Sequence, residues 1–380
     1  MPSLDFGAAI AELTRQGGGV DPAFRIINQA RPANDYLLAS FFPERQLPSY
    51  FVRAGAMTIR PTMAGLVGAD SPYPPTGLAD IATFIASTAK IANTVPVTEM
   101  FLRDLHAFLA TLGSDQQRDE AVLQFVLNFS QKMLAQPHMD RMELLRGEMI
   151  TTGAIDWTFV GKNLAVDYGI PAGNKLTHRT GNDAYHGSAS KWWTDYRAGR
   201  AILQQRVLAA LAHPDTIEAI ISNTVNNVIL TAQDLATGTV SFVRNTGTLG
   251  TAQIPSSDVR ERTTLVGYGK EGEILDPDNP GETIAVPFFP RGKVVLLGQP
   301  GDAGTGEGLG GATEDEQTGL ELGYTHIGPT TESGGALGRW ARVFKPEARP
   351  QGMQGDAVTN GLPVLRAPRK VVILSTEMPA

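Results

Sequence analysis

The sequence predicts an α+β fold that is organised around one long amphipathic helix. The helical pattern covers residues 115–152, where apolar side chains recur at three- and four-residue steps. Between residues 50 and 97, two extended segments flank a turn-rich tip. From residue 216 onward, short runs of β-branched and apolar residues are punctuated by Gly and Pro. The sequence therefore predicts both helices and strands, and we assign the chain to the α+β class.

The start of the central helix is marked by a capping signal. Ser114 can accept a backbone hydrogen bond, and Gln117 follows at the three-residue spacing of a capping box. Pro137 removes a backbone donor and crowds the preceding turn, so we expect a kink or a short break there. A second helical piece over 140–150 leads to Gly153, a residue type that ends helices well. The residues expected on the buried face are Val122, Val126, Phe129 and Met133.

Length and composition are those of a globular chain with a sizeable core. The 380 residues suffice for about two to three domains, and 42% of them are hydrophobic. No apolar run reaches the roughly eighteen residues that a membrane-spanning helix needs. The N-terminus has no basic stretch before an apolar core, so we expect no secretory signal. With no cysteine, the chain cannot use disulfides, thiolate metal ligands or a cysteine nucleophile.

The first 50 residues are predicted to be irregular. A short amphipathic helix over 8–15 leads into three glycines at 17–19, and several prolines follow. This composition favours an arm that lies along another surface over an independent domain. The alternative is a disordered leader.

Residues 50–67 and 81–97 are predicted to form a long two-stranded ribbon. The intervening segment 71–77 holds three prolines and a glycine, so it cannot be a helix or a central strand. A ribbon alone in water is marginally stable. We therefore expect it to lie on another surface, in its own chain or in a neighbour.

Two further helices are predicted. One covers 99–111, and the other covers roughly 194–212 and ends at His213-Pro214. The apolar side of the first holds Phe101, Leu105, Phe108 and Leu109. The buried candidates of the second are Ile202, Val207, Leu208 and Leu211.

The predicted strands are short. An apolar run over 217–230 fits either a strand or a helix, and the clearest single strand in the chain covers 291–298. The other strand-like segments are 157–160, 164–168, 239–244, 263–268, 283–289, 324–328, 339–344, 363–365 and 370–374.

Charge is unevenly distributed near the end of the chain. The net charge of −7 argues against a general nucleic-acid binder held by a basic surface. Residues 294–337 contain seven Asp and Glu but no Lys or Arg, whereas 338–370 contain seven Lys and Arg but two Asp and Glu. Such blocks are typical of a solvated surface. The alternative is a pair of complementary patches.

Motifs that resemble ligand sites fail in their context. Residues 306–311 match G-x-G-x-x-G, but the acidic segment 312–319 that follows would repel a pyrophosphate. Residues 276–281 resemble the start of a calcium loop, but Pro280 occupies a ligand position and Pro287 stands where a glutamate is needed. No histidine pair has metal-ligand spacing, and G-x-S-x-G does not occur. We therefore expect no catalytic residue, no cofactor and no metal.

Two sets of segments carry a family resemblance. The first set reads Glu143-Leu-Leu-Arg-Gly-Glu148, Ile150-Thr-Thr-Gly-Ala-Ile155 and Val166-Asp-Tyr-Gly-Ile-Pro171. The second set comprises residues 292–298, 322–329, 338–343, 362–365 and 371–374. In order and spacing these segments resemble the capsid protein E family, the major capsid proteins of lambda-type tailed phages. The first 110 residues match that family in layout only.

The resemblance implies the Hong Kong-97-type major capsid fold. An N-terminal arm would cover 1–49, and an extended β-hairpin loop would cover 50–97. The peripheral domain, with its long spine helix, would cover 98–194 and 326–380. The axial domain would cover 195–325.

The resemblance also implies a structural function. The chain would self-assemble into the hexamers and pentamers of an icosahedral shell that encloses the double-stranded DNA genome of a tailed bacteriophage. Its partners would be itself, scaffold and portal proteins and a decoration protein, with non-specific proximity to packaged DNA and no membrane. It would occur in the virion, and in the host cytoplasm during assembly. The alternative is an α+β enzyme in which the acidic, Gly-rich loop 299–320 is a lid over a carboxylate site.

Contacts between subunits are the sites expected of such a protein. In a closed lattice, a surface of one sign can meet the opposite sign on a neighbouring copy. The alternative for the acidic segment is a flexible, solvated loop. The residues predicted to make contacts between subunits are Arg60, Tyr73, Asp302, Glu314, Asp315, Glu316, Arg339 and Arg342.

Overall fold

A computed structural model describes most of the chain. The described residues are 6–16, 18, 20–29, 36–58, 80–97, 99–112, 114–159, 162–204, 207–226, 228–229, 239–244, 262–275, 282–299, 321–344 and 353–379. Within these ranges, no helix has the length and apolar character needed to cross a membrane.

Helices dominate the first 220 residues, and most strands follow them. The helices are α1 (Phe6–Gln16), α2 (Pro22–Gln29), α3 (Leu37–Phe41), α4 (Glu99–Ala110), α5 (Asp115–Phe129), α6 (Gln136–Thr152), α7 (Trp192–Ile202) and α8 (Pro214–Ser222). The strands are β1 (Glu44–Gln46), β2 (Phe51–Thr58), β3 (Asp80–Ser87), β4 (Ala89–Val97), β5 (Ala154–Phe159), β6 (Lys162–Asp167), β7 (Val207–Ala212), β8 (Val228–Ile229), β9 (Thr239–Arg244), β10 (Arg262–Gly267), β11 (Glu271–Leu275), β12 (Thr283–Pro287), β13 (Lys293–Gly298), β14 (Gly323–Gly328), β15 (Trp340–Phe344), β16 (Met353–Leu365) and β17 (Val371–Ser375).

The central helix begins and ends where its capping residues predict. Ser114 Oγ accepts a hydrogen bond of 3.2 Å from the backbone N–H of Gln117. At the other end, Gly153 has φ 79°, a left-handed conformation that glycine adopts without steric cost. Its N–H donates to the carbonyl of Met149 at 3.0 Å. Both predicted ends are confirmed.

A π turn (Ser130–Ala135) joins α5 to α6 just before Pro137. Pro137 has no N–H, so no regular helical hydrogen bond can reach the carbonyl of Met133. The additional residue in this turn rotates the following positions by about 100° relative to a regular helix. Leu134 is consequently buried, whereas Met133 is 51% exposed. The prediction for Met133 is wrong, while Val122, Val126 and Phe129 are buried as predicted.

The first sheet has five strands and surrounds β16. Strands β4, β14 and β15 all pair antiparallel with β16, and β1 extends the sheet as a parallel partner of β14. Helix α6 packs against β16. This sheet and α6 form the larger of the two hydrophobic clusters.

The second sheet has six strands in the order β17-β13-β7-β10-β9-β8. The pair β7–β10 is parallel and the other pairs are antiparallel. Alternate residues of β13 face different clusters. Val295 and Leu297 join the cluster around α6, whereas Val294 and Leu296 join the cluster around α7. The second sheet is therefore packed on both faces.

The predicted helix over 194–212 is wrong in its second half. Helix α7 ends at Ile202, and the following segment contains Gln204 with φ 53°, a value outside the helical range. Residues 207–212 then form β7, in the interior of the second sheet. A short run that is apolar at every position fits a buried strand as well as a helix, so periodicity could not distinguish the two. Leu211 is buried as predicted, but Ile202 and Leu208 are exposed.

The described N-terminal residues pack on their own chain. Leu13 of α1 and Ile27 of α2 are buried, and α2 contacts β15. Further on, Phe42 is fully buried and β1 joins the first sheet. The segment that we expected to extend as an arm is thus, in its described part, packed within the subunit.

The predicted ribbon is present in its described part, but its second strand ends at Ser87, earlier than expected. Strands β2 and β3 pair from Phe51↔Ser87 to Thr58↔Asp80, which gives a ladder about 24 Å long. The following strand, β4, was expected in the ribbon but lies in the first sheet instead. The ribbon tip, 59–79, lies outside the described residues.

The C-terminal segment is divided between the two sheets. Strands β14, β15 and β16 belong to the first sheet, whereas β17 is an edge strand of the second. Residues 326–380, which we expected to join the peripheral domain as one block, therefore contribute their last strand to the sheet built by β7 and β13.

Candidate assembly surfaces and the buried network behind them

Two of the residues predicted to make contacts between subunits, Arg339 and Arg342, are among the described residues. The others lie outside the described ranges, and their contacts remain predictions. These others are Arg60, Tyr73, Asp302, Glu314, Asp315 and Glu316.

Arg339 pairs within its own subunit. The residue is 4% exposed, and its Nη2 donates to Glu44 Oε1 at 2.6 Å. The side-chain amide of Asn28 forms two hydrogen bonds with the backbone of Arg339. The N–H of Arg339 donates to Asn28 Oδ1 at 2.9 Å, and its carbonyl accepts from Asn28 Nδ2 at 2.6 Å. Arg339 therefore anchors the N-terminal segment, and a contact with a neighbour would have to compete with Glu44.

Arg342 lies on the solvent side of β15. Its side chain is 50% exposed, and its Nη2 donates to Asp356 Oδ2 at 2.9 Å. The guanidinium carbon lies 4.2 Å from the ring centroid of Phe344, which is cation–π geometry. The side chain is held in place yet open to solvent, so its predicted contact with a neighbour is sterically possible.

A buried polar network surrounds the middle of α6, and Glu143 is its main acceptor. Glu143 is fully buried. Its Oε1 accepts from the backbone N–H of Leu38 at 2.8 Å and from the hydroxyl of Tyr268 at 2.7 Å. Its Oε2 accepts from Arg146 Nη1 at 2.9 Å, one helical turn further on. Each carboxylate oxygen is thus satisfied by a donor.

Arg146 extends this network into the first sheet. The residue is 1% exposed. Its Nε donates to Thr325 Oγ1 at 2.8 Å, and its Nη2 donates to Glu44 Oε1 at 3.2 Å. Glu44 also binds Arg339, so carboxylates and guanidiniums alternate. The network joins α6, the N-terminal segment and the first sheet, and Tyr268 connects it to the end of β10 in the second sheet.

The segment Glu143-Leu-Leu-Arg-Gly-Glu148 also needs its glycine. A Cβ on Gly147 would lie 1.9 Å from the carbonyl oxygen of Phe288, which no real contact allows. Helix α6 therefore passes directly against the backbone that follows β12. The paired charges and this close approach both fix α6 relative to the two sheets.

Asn93 of β4 fastens the π turn to the first sheet. Its Nδ2 donates to the carbonyl of Met133 at 2.9 Å, which is the carbonyl that Pro137 leaves without a helical donor. Its Oδ1 lies 2.7 Å from His138 Nε2, so this ring nitrogen carries the proton and donates. Burial, with a smaller effect of the Arg339 charge, lowers the pKa of His138 to about 3. The ring is therefore neutral at physiological pH.

Large apolar side chains are exposed on α4 and at the base of the ribbon. Met100 is 76% exposed, Phe108 is 57% exposed, and Phe51 at the start of β2 is 57% exposed. Of the predicted apolar side of α4, Leu109 is buried, but Phe101 and Phe108 are exposed. Exposed apolar groups of this size are typical of surfaces that bind another protein.

Within the described ranges, no three His, Asp or Glu side chains converge as metal ligands. The proposed lid of the alternative enzyme lies almost entirely outside these ranges, since residues 300–320 are not described.

Sequence reasoning missed most members of the buried network. One signal was available: Glu143 and Arg146 are charged residues at i, i+3 among the apolar positions of α6, and buried charges require partners. Their distant partners Glu44 and Tyr268 carried no signal, because a single sequence does not show which residues meet in space. The same holds for Asn93.

Comparison with solved structures shows the type of fold. The fold is similar to a protein described as a prophage capsid protein of E. coli CFT073, with 11% identity over 97% of this chain and 98% of that chain, and a TM-score of 0.51. The mature capsid of bacteriophage PhiM1 is also similar, with 10% identity over 92% and 90% of the two chains and a TM-score of 0.42. The chain has the Hong Kong-97-type fold.

The sequence comparison names the family. The sequence profile described as phage major capsid protein E matches residues 24–250, which is more than half of the chain. The chain therefore belongs to the phage major capsid protein E family. No curated protein matches it. The protein is a capsid protein that forms shells.

Proposed function

We propose that this protein assembles into the hexamers and pentamers of an icosahedral shell around the double-stranded DNA genome of a tailed bacteriophage. The observation that carries the proposal is the family match over residues 24–250, which spans the ribbon, α6 and three members of the buried network, Glu44, Glu143 and Arg146. In this proposal the protein is structural and has no enzymatic activity.

The ribbon and α4 are the surfaces that we propose for contacts between subunits. The β2–β3 pair is a two-stranded ribbon about 24 Å long, and such a ribbon gains stability when it lies on a further surface. Phe51 at its base and Met100 on α4 remain exposed in the isolated chain. A neighbouring copy would cover such apolar groups.

The proposed division into domains follows the strand pairing. The peripheral domain would combine the first sheet with α5 and α6, and the axial domain would be the second sheet with α7 and α8. The buried network would hold these domains in a fixed relation within each subunit. This differs from the sequence-based division in assigning β17 to the axial domain.

We further propose scaffold and portal proteins as partners during assembly in the host cytoplasm, and a decoration protein on the finished virion. Contact with packaged DNA would be non-specific, because a chain with net charge −7 does not present a generally basic surface. Any such contact would weaken at moderate salt concentration.

Electron microscopy tests the proposal. The full chain would be expressed alone and together with the other head proteins of its phage, and the purified particles would be imaged. We expect closed shells or isolated capsomers. A compact small oligomer that never forms a lattice, under either condition, would contradict the proposal and favour the α+β enzyme.

A further inference from the structure

Cationic side chains meet at one end of the second sheet. Lys293 begins β13 and is paired with Ser375, the last residue of β17. Lys175 forms a parallel bridge with Ile373, two residues before Ser375. Residues paired across strands, and residues two apart along a strand, project from the same face of a sheet. Lys175, Lys293 and Ser375 therefore share one face, next to the end of α6.

The hydroxyl of Ser375 organises this group. Lys293 Nζ donates to Ser375 Oγ at 2.9 Å, and the same oxygen lies 2.7 Å from His178 Nδ1. Ser375 is 6% exposed, Lys293 is half-buried, and Lys175 and His178 are exposed. Because Lys293 Nζ donates to Ser375 Oγ, the serine hydroxyl can in turn donate to His178 Nδ1; the tautomer that accepts this hydrogen bond carries its proton on Nε2, toward an outside partner. A buried hydroxyl thus holds an ammonium group and an imidazole side by side.

The charge of this group is not neutralised within the described residues. Neither Lys175 nor Lys293 forms an ion pair there, while the neighbouring Arg179 is committed to Asp195 at 2.6 Å. Glu377 is directed elsewhere, because its carboxylate accepts from the backbone N–H of Gly181. Burial and the nearby charge of Lys175 both lower the pKa of Lys293. The two ammonium groups therefore repel each other, and a bound anion would remove that cost.

The negative end of the α6 dipole explains only part of the arrangement. A Cβ on Gly153 would lie 3.1 Å from Lys175 Nζ, so Lys175 is next to the C-terminal end of the helix, where a cation is favoured. The C-terminal end of α6 does not account for the positions of Lys293 and His178, because both side chains are hydrogen-bonded to Ser375 at the edge of the sheet. Their juxtaposition calls for a second anionic partner.

We propose that Lys175, His178 and Lys293 form a binding site for a phosphate group. Two ammonium groups supply charge, and the imidazole N–H supplies a directional donor to a third oxygen, which suits a tetrahedral oxyanion. The phosphate comes from inorganic phosphate or from the backbone of a polynucleotide. This proposal does not rest on the function proposed above.

The test uses the full chain as unassembled subunits at low ionic strength. Binding of inorganic phosphate is measured by isothermal titration calorimetry, and binding of a short labelled DNA duplex by fluorescence anisotropy. The variants are Lys293→Gln, Lys175→Gln and the charge-preserving Lys293→Arg. Lys132→Gln, on the exposed side of the π turn, is the matched control for loss of one positive charge. Thermal melting verifies that each variant is folded.

We expect both lysine-to-glutamine variants to lose at least about tenfold in affinity, with Lys293→Arg and Lys132→Gln within about twofold of the parent. If the lysine-to-glutamine variants lose affinity for inorganic phosphate, the free ion is a ligand. If they lose affinity for the DNA duplex alone, the ligand is the polynucleotide backbone. Equal affinities for all variants in both titrations would overturn the site. A change in shell assembly without any change in either titration would also overturn it, and would assign the lysines to a carboxylate of another subunit.

Discussion

At the scale of single residues, the molecule depends on polar groups that are buried with their partners. Glu143 and Arg146 lie inside the core, where an isolated charge would be very costly, and each is matched by donors or acceptors from distant segments. The helix spacing of the two residues was readable in the sequence. The partners were not, because they meet α6 only through the tertiary fold.

Removing one member of this network is expected to destabilise the subunit strongly. Glu143→Ala would leave Arg146 buried with Glu44 as its remaining carboxylate, at a cost of about 3–5 kcal/mol in the free energy of unfolding. Urea unfolding of unassembled subunits measures this effect. Glu120→Ala, on the exposed surface of α5, is the control and should change stability by less than about 0.5 kcal/mol. Similar midpoints for both variants would refute the role of the network.

His138 is expected to make subunit stability depend on pH. The folded ring has a pKa of about 3, against 6.5 as the reference value, so between these values the unfolded chain binds a proton that the folded chain does not. Stability is therefore complete above pH 6.5 and falls below it, by up to about 1.4 kcal/mol per pH unit for this residue. His138→Gln removes this contribution and keeps a donor for Asn93. Urea unfolding measures the free energy of unfolding of the parent and of the variant at each pH. The parent's advantage over the variant should shrink as the pH falls. A constant difference from pH 7 to pH 4.5 would show that His138 does not titrate as described.

At the scale of elements, hydrophobic periodicity predicted most of the helices and strands, and two of its failures have clear physical reasons. Residues 207–212 are apolar at every position, so nothing in the pattern distinguishes the buried strand β7 from a continuation of α7. In the central helix, the break at Pro137 was foreseen, but the π turn that accommodates it was not. The register of the buried face beyond it therefore moved from Met133 to Leu134.

Deleting Lys132 from the π turn is expected to be harmful only while Pro137 is present. The deletion would convert the turn to regular helix and bring the proline ring against the carbonyl four residues earlier, at a cost of about 3 kcal/mol or more. Adding Pro137→Ala should restore most of that loss. Urea unfolding of the parent, the two single variants and the combination forms a double-mutant cycle, and additive effects would disprove the coupling.

The ribbon is expected to serve assembly and not the folding of the subunit. The test variant replaces residues 53–85 by an Asn-Gly turn that joins Val52 to Ala86. These two residues already pair across the ladder, so the turn fits between them, and the buried Val52 and all of β4 are kept. We expect folded subunits that do not form shells. The comparison variant joins Thr58 to Asp80 with the same turn; it removes the tip with Arg60 and Tyr73 but keeps the ladder, and should reduce assembly less than loss of the whole ribbon. Normal shells from the shorter protein, seen by electron microscopy, would exclude the ribbon from the contacts between subunits.

At the scale of the whole molecule, the order of segments carried the information that single motifs did not. The capsid-type fold and the family were recognisable because weak segments such as 143–148 and 292–298 occur in a characteristic order. The distribution of strands between sheets was not recognisable in this way, since β17 and β14 are both short buried strands whose sequences do not specify a partner. Their pairing depends on which sheet edge is free, which is a property of the complete fold.

The acidic segment that precedes β14 is expected to contribute to contacts between subunits. The variant Glu314→Gln, Asp315→Asn, Glu316→Gln removes three negative charges while keeping side-chain size. Each exposed pair is worth about 0–1 kcal/mol, but the effect is repeated in every copy of a shell. We expect the assembly yield of the variant to depend less on salt concentration than that of the parent. The same salt dependence in both proteins would leave these charges facing solvent.

The position of β17 at the edge of β13 has a consequence for synthesis on the ribosome. Strand β13 ends at Gly298 and its partner begins at Val371, so roughly 70 residues must be added in between, which takes about 4–14 s at translation speeds of ~5–20 residues per second. During that interval one edge of an almost wholly apolar strand has no covalently linked partner available, and such edges template aggregation. Nascent chains would then need a chaperone or a temporary intrachain cover over β13 until the last strand emerges.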